Sequence, residues 1–237
     1  MKKIQLWSGP RNISTALMYS FAQRSDTKVV DEPLYAHYLS RTAAFNYHPG
    51  ADEVLDSQEQ DGGKVVNWMM KVNDAPVYFF KQMAHHLIQL DWDFMKNCHN
   101  VILTRDPGEM ILSYRQQVEM PSLYDLGYEM QVAILNYLQE NDLPVIVLDA
   151  KRVLLDPKKV LTELCERLGI PFDQNMLQWK AGARPEDGVW AKYWYGSVHQ
   201  STGFAPYRPK TEAFPHHLAP LLASAKPYYE QLVQLAI

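Results

Sequence analysis

Five short apolar runs recur along the chain: Lys3–Trp7, Thr27–Val30, Val77–Phe80, Val101–Leu103 and Val145–Leu148. None is long enough to be a helix, and each is bounded by polar, glycine or proline residues, the mark of a strand. Between them lie stretches with apolar residues at helical spacing. Ser14–Gln23 carries Leu17, Met18 and Phe21 on one face, and Met83–Leu90, Gly108–Gln117, Tyr124–Glu140 and Lys158–Leu168 follow, the last stopped by Gly169 and Pro171. Alternation of this kind leaves little freedom. Parallel strands need long crossovers, and helices supply them on the sheet faces. The expected fold is α/β: a single domain over residues 1–237 with a central, mostly parallel sheet of about five strands flanked by helices.

Two segments stand outside the alternation. His48–Lys64 is acidic (Asp52, Glu53, Asp56, Glu59, Asp61) and reads as a surface insertion. Gly182–Pro215 is irregular but carries Trp190, Tyr193, Trp194, Tyr195, Phe204 and Tyr207, an aromatic content that disorder does not explain. A last helix over His216–Leu235 is expected to pack back on the body.

Charge and termini exclude several partners. With 23 basic against 27 acidic residues the chain lacks the basic footprint of a nucleic-acid binder. Met1-Lys2-Lys3 is followed by only Ile4-Gln5-Leu6-Trp7 before polar residues, too short for a signal peptide or a membrane span. A cytoplasmic protein without membrane partners is expected. Cys98 and Cys165 are too few for a disulfide framework or a zinc site and read as reduced thiols.

The chemistry concentrates where strands end. Ser8-Gly9-Pro10-Arg11-Asn12-Ile13-Ser14-Thr15 leaves the first strand and opens a helix, so backbone amides, two hydroxyls and the Arg11 charge converge on one spot. That suits a phosphate or sulfate. The glycine-lysine-serine ending of a nucleoside-triphosphatase loop is absent, and no metal is expected. After the fourth strand, Thr104-Arg105-Asp106-Pro107 places a second arginine at a strand's carboxyl end, with Ser113 two helical turns later. Read alone, each could be an ordinary turn: Ser14 a helix cap with Arg11 on the surface, and Arg105-Asp106 a local ion pair.

In this order and spacing the segments resemble the sulfotransferase family. Pro10 with Arg11-Asn12-Ile13-Ser14-Thr15 is similar to its 5′-phosphosulfate loop, and Arg105, Pro107 and Ser113 resemble its 3′-phosphate pair. Leu155-Asp156-Pro157 and Gly169-Ile170-Pro171-Phe172-Asp173 resemble its late helix and exit, so the likeness runs from Ile4 to Trp179. It implies a P-loop-like sulfotransferase architecture, 3′-phosphoadenosine 5′-phosphosulfate (PAPS) as donor, and a small-molecule hydroxyl acceptor. By this resemblance Arg11 steadies the departing phosphate, Asn12, Ile13, Ser14 and Thr15 bind the 5′-phosphate, and Arg105 with Ser113 grips the 3′-phosphate. The chain departs from the family at Ala16, where adenine would stack on tryptophan. Trp68 or an aromatic of the tail is the candidate substitute. In place of the late phosphate loop stand Ser201-Thr202-Gly203-Phe204, Arg208 and Lys210.

Sulfuryl transfer to an alcohol needs a base near the acceptor and positive charge near the leaving group. Glu32, after the second strand, and His85, after the third, are the candidate bases, with Glu32 placed ahead; Lys81 would add a second positive charge. His37, His48, His199, His216 and His217 offer no comparable argument. Trp190–Tyr195 reads as an acceptor wall or lid, suited to ring-bearing alcohols, or as a tail folded on the core. Two other functions fit the same turn: a non-catalytic binder of adenosine 3′,5′-bisphosphate, and a nucleotide-dependent kinase.

Overall fold

Five strands form and pair throughout in parallel, in the order β2-β3-β1-β4-β5: β1 (Lys2–Ser8), β2 (Thr27–Asp31), β3 (Val77–Met83), β4 (His99–Thr104) and β5 (Ile146–Asp149). The computed structural model describes every residue, Met1–Ile237. Both faces of the sheet are covered, which is why the strands read as nearly continuous apolar runs. Helices α1 (Ser14–Phe21), α8 (Ala150–Leu155) and α9 (Pro157–Leu168) pack with Ile4, Leu6, Phe79 and Val101 on one face. Helices α4 (Gly62–Lys71), α5 (Pro107–Tyr114), α7 (Tyr128–Glu140) and α12 (Ala219–Val233) cover Trp7, Tyr78, Phe80 and Ile102 on the other. A third cluster joins α2 (Tyr35–Leu39) and α3 (Ala51–Ser57) to Trp190 and Tyr195 of the tail.

Two expectations are corrected. Met83–Leu90 is not a helix: β3 runs on to Met83, which pairs with Ser8, and only a 3-10 turn, Ala84–His86, follows. Ala84, His85, His86 and Leu87 are all buried, and a surface helix cannot bury four consecutive residues on one stripe. The stretch Tyr124–Glu140 is two helices, α6 (Leu123–Leu126) and α7, because Gly127 sits at φ +75° between them. The acidic insertion lies at the surface and is partly helical: Val54 faces inward from α3 while its carboxylates point to solvent, and α4, which starts at Gly62 and runs beyond it, buries Val65 and Met69. In α3 the charged residues mask a helical apolar spacing.

The tail stays largely irregular, broken by two short helices, α10 (Ala191–Trp194) and α11 (Gly196–His199). No helix is long and apolar enough to cross a membrane. The chain leaves central β1 toward the β2–β3 edge and later builds toward β5. The loops after β1 and β4 therefore diverge at the carboxyl ends and open a crevice.

Two glycines let that crevice form. A Cβ on Gly9 would stand 2.6 Å from the Leu126 carbonyl, and one on Gly127 would stand 3.2 Å from His85 Nδ1 and 3.6 Å from Gly9 Cα. Gly127→Ala adds this crowding to the left-handed penalty of about 1–2 kcal/mol. Urea denaturation is expected to show a loss of at least that size, and an unchanged midpoint would contradict the close approach.

Candidate active site

A cavity of about 350 Å³ lies over the carboxyl ends of the strands, lined by the loops after β1, β2, β3 and β4 and roofed by the tail. At one end is the loop after β1. Arg11 (φ 58°) and Ile13 (φ 60°) both adopt left-handed backbone, and for a β-branched residue such as Ile13 this is a strained state, costing on the order of 1–3 kcal/mol. The surroundings enforce it. Asn12 Nδ2 donates to the Leu103 carbonyl of β4 (3.0 Å), and Arg105 Nη1 donates to the Arg11 carbonyl (2.7 Å). Arg11 itself donates from Nε to Ser113 Oγ (3.1 Å) and from Nη1 to the Trp194 carbonyl (3.1 Å). No side chain caps α1, so the amides of its first turn are left for an anion in the cavity.

Arg11, Asn12, Ile13, Ser14, Thr15, Arg105 and Ser113 all line this one cavity. Their parts differ in detail. The Asn12 side chain is a strut to β4 rather than an open donor. Burial first, and then the neighbouring Arg105 charge, pull the Arg11 guanidinium below its usual value. Arg105 is steadied by Glu109 Oε2 (3.1 Å), whose other oxygen accepts from Tyr207 Oη at 2.5 Å. Arg208 is exposed and is not part of the lining, whereas Lys210 is, together with Ser201, Gly203 and Phe204. Trp68 is also out of place for adenine: it is largely exposed on α4, edge-on to Phe80. The apolar wall beside Ala16 is made by Leu154, Val198 and Phe204.

The opposite end is built by a buried ion cluster. Lys81 Nζ donates to Asp31 Oδ1 (2.9 Å), to Tyr195 Oη (2.7 Å) and to Glu32 Oε1. An ammonium has three hydrogens, and all three are used. Lys81 is 1% exposed and lines the cavity, its charge shared among these three partners. Burial works against that ammonium, but Asp31 and Glu32 together outweigh it and hold Lys81 above its ordinary value. Glu32 bends at φ 39° to bring its carboxylate inward, and Gln58 Nε2 donates to its carbonyl (3.1 Å). Its Oε2 makes no hydrogen bond and is not among the buried unpartnered atoms, so it opens on the cavity. Burial raises the Glu32 pKa above its usual value, Lys81 opposes this, and the Asp31 charge adds to it.

His85 lines the same end but is a different kind of group. Burial pushes it down to about 3, with the neighbouring His48 adding to this, so it is a neutral imidazole and a weak base. Sequence reasoning gave no site role to His48, His86, Tyr35 and Asp31, and saw Tyr195 only as part of an aromatic wall. His48 is also pushed down by burial, to about 4, and is hydrogen-bonded to Tyr35 Oη (2.7 Å), while His86 stacks on Tyr38 with centroids 4.6 Å apart. Only Asp31 had a signal, standing next to Glu32 at a strand end; the rest depended on packing. No group of three or more His, Cys, Asp or Glu side chains stands close enough to hold a metal ion.

An open parallel α/β sheet with an arginine-bearing, uncapped helix start at its crevice defines a domain built to hold phosphate or sulfate esters. The chain belongs to the sulfotransferase domain family, which matches residues 1–236. It is 42% identical over 97% of its length to "Branched-chain-amino-acid aminotransferase-like protein 1" of Arabidopsis thaliana, and spans 41% of that relative. The fold is also that of the sulfotransferase domain of the olefin synthase from Synechococcus PCC 7002 (TM-score 0.55, 16% identity, 94% of each chain). The sulfotransferase domain of the curacin biosynthetic pathway is similar too (TM-score 0.53, 18% identity, 98% of this chain and 97% of that one).

The three neutral histidines predict acid sensitivity. Their folded pKa values lie below the unfolded value of about 6.5, so the unfolded chain binds more protons and stability falls as pH drops below that point. Each contributes on the order of 1 kcal/mol per pH unit down to its folded value. Urea midpoints between pH 7 and 4.5 should fall steeply, and less steeply in His48→Gln.

Proposed function

We propose that the chain is an enzyme that transfers the sulfuryl group of PAPS to the hydroxyl of a small, uncharged acceptor. The observation that carries this reading is the pinning of Arg11 and Arg105 to one another around an uncapped helix start, facing an open Glu32 oxygen across one cavity. Two arginines at one crevice suit the two phosphate positions of a 3′,5′-bisphosphorylated nucleotide, and Ser113, which accepts from Arg11 Nε, lines the same cavity. Leu154, Val198 and Phe204 offer adenine an apolar bed in place of the tryptophan that Ala16 replaces.

The donor supplies a sulfuryl group on a good leaving phosphate, and the protein organises the exchange. Glu32 Oε2 takes the acceptor's proton as the acceptor oxygen bonds to sulfur and the bond from sulfur to the bridging oxygen breaks. Arg11 and the α1 amides hold the negative charge that collects on the leaving phosphate. A carboxylate whose pKa is raised by burial is a better base than an exposed one, and this favours Glu32 over His85, whose imidazole is too weakly basic. His85 instead faces the acceptor as a neutral hydrogen-bonding group. Aromatic walls from Tyr35, Trp190 and Trp194, with neutral imidazoles between them, suit an uncharged ring-bearing alcohol or phenol.

Calorimetry with adenosine 3′,5′-bisphosphate, ADP and ATP, with and without magnesium, tests the donor assignment. Metal-independent preference for the bisphosphate is expected, weakened about tenfold to a hundredfold in Arg105→Ala as charge-assisted bonds are lost. Preference for ATP with magnesium would overturn it. Glu32→Gln is expected to lower kcat by about 10²- to 10⁴-fold with donor affinity unchanged. The acid limb of the wild-type profile should lie above the ordinary glutamate value, activity rising as Glu32 ionises.

A further inference from the structure

The tail does more than wall the cavity, because it enters the ion cluster behind Glu32. Tyr195 Oη donates to Asp31 Oδ2 (2.7 Å) while accepting from Lys81 and from Trp190 Nε1 (3.1 Å), and the Gly188 amide donates to the same Asp31 oxygen (3.1 Å). Asp31 thus accepts on both oxygens from Lys81, Tyr195 and Gly188, whereas Glu32 accepts on one oxygen, from Lys81 only. Two adjacent carboxylates share one buried lysine, and the tail's hydrogen bonds go to one of them alone. All the members are nearly sealed from water: Asp31 is 5%, Glu32 7% and Tyr195 5% exposed.

Resting on the sulfotransferase reading, we infer that Tyr195 and Asp31 are positioning residues, through which the seated tail assigns the cluster's exchangeable proton to the open oxygen of Glu32. The physical reason is the charge count. Two carboxylates and one ammonium leave one net negative charge in a site that penalises it, so one carboxylate has a tendency to hold a proton. With both oxygens of Asp31 occupied by donors, that carboxylate is Glu32, and the oxygen left for the proton is Oε2, which faces the acceptor. Paired carboxylates driven apart by unequal hydrogen bonding are a general route to one group that holds charge and one that exchanges a proton. The titratable groups facing Glu32 are Lys81 from β3, Asp31 from β2, Tyr195 from the tail and, further off, Tyr35 from α2 and Tyr114 from α5. Burial pushes all three tyrosines upward, so none ionises in the working range.

Tyr195→Phe removes one hydroxyl and keeps the ring that packs on Trp190 and Lys81. Asp31 then loses a donor and competes for the proton. The first measurement is a carbon-13 NMR titration of the side-chain carboxyls in the ligand-free protein, with Glu32 assigned by Glu32→Gln. In Tyr195→Phe the Glu32 midpoint is expected to fall by about one pH unit or more, and a second carboxyl, Asp31, to titrate with it. The second measurement is release of adenosine 3′,5′-bisphosphate from PAPS, with 4-nitrophenol or water as acceptor, across pH. The acid limb should move down in step, with kcat reduced at least severalfold and calorimetric affinity for the bisphosphate unchanged. Should Tyr195→Phe not fold, Asp31→Asn, which removes the neighbouring charge, must move the Glu32 midpoint in the same downward direction.

A Glu32 midpoint that stays put while only thermal stability falls would overturn the inference and leave Tyr195 a packing residue. Failure of the wild-type protein to bind the bisphosphate would instead remove the donor assignment, and the ligand-free titration would still decide the part played by Tyr195.

Discussion

A lysine ammonium sealed from water has to be satisfied completely, and that requirement organises one end of the cavity. Desolvation of an isolated ammonium costs several kcal/mol, so Lys81 is tolerable only when three acceptors meet its three hydrogens. Those acceptors come from two places far apart in the chain, the end of β2 and the tail. The register between β2 and β3 sets Asp31 directly opposite Lys81. Folding of the tail is then tied to the sheet through a polar contact in addition to apolar packing, and the aromatic wall acquires a fixed height above the strand ends.

The donor half is organised by a different constraint, backbone strain held by cross-links. Left-handed Arg11 and Ile13 aim the amides of α1 at the crevice, and the bonds from Asn12 to Leu103 and from Arg105 to the Arg11 carbonyl keep them there. A glycine-rich loop reaches a comparable shape at little steric cost but with more freedom. Here rigidity comes from β4 itself, so the anion loop inherits the stiffness of the sheet.

Much of this was legible in the sequence, for reasons that differ by element. Four of the strands could be read because they are buried on both sides and so form nearly continuous apolar runs, while edge strand β2 showed itself by its β-branched residues and the polar stop that follows. The anion loop and Arg105 could be read because their chemistry follows strand ends, where an open sheet must place it. Met83–Leu90 misled because burial on all sides imitates helical spacing, and α3 was hidden by the acidic residues on its outer face. What no local pattern carried was the pairing of distant side chains. Lys81 could be read as a second positive charge but not as the centre of a cluster, because a chain read in order gives no sign that Asp31, Glu32 and Tyr195 converge on it. Arg208 and Lys210, two residues apart, could not be told apart, because only the path of an irregular tail decides which of them turns inward.

Trp194 and Tyr195 are neighbours in the chain, yet they serve opposite ends of the cavity. The Trp194 carbonyl accepts from Arg11, and the Tyr195 hydroxyl closes the cluster on Lys81. One peptide unit and the Tyr195 side chain therefore link the anion loop to the Lys81 cluster, which fixes the chain length between them. Substitutions around this dipeptide can reshape the wall freely, but a one-residue insertion or deletion would pull one contact out of register with the other. Diversification of what the cavity admits is accordingly confined to exchange of side chains at constant loop length.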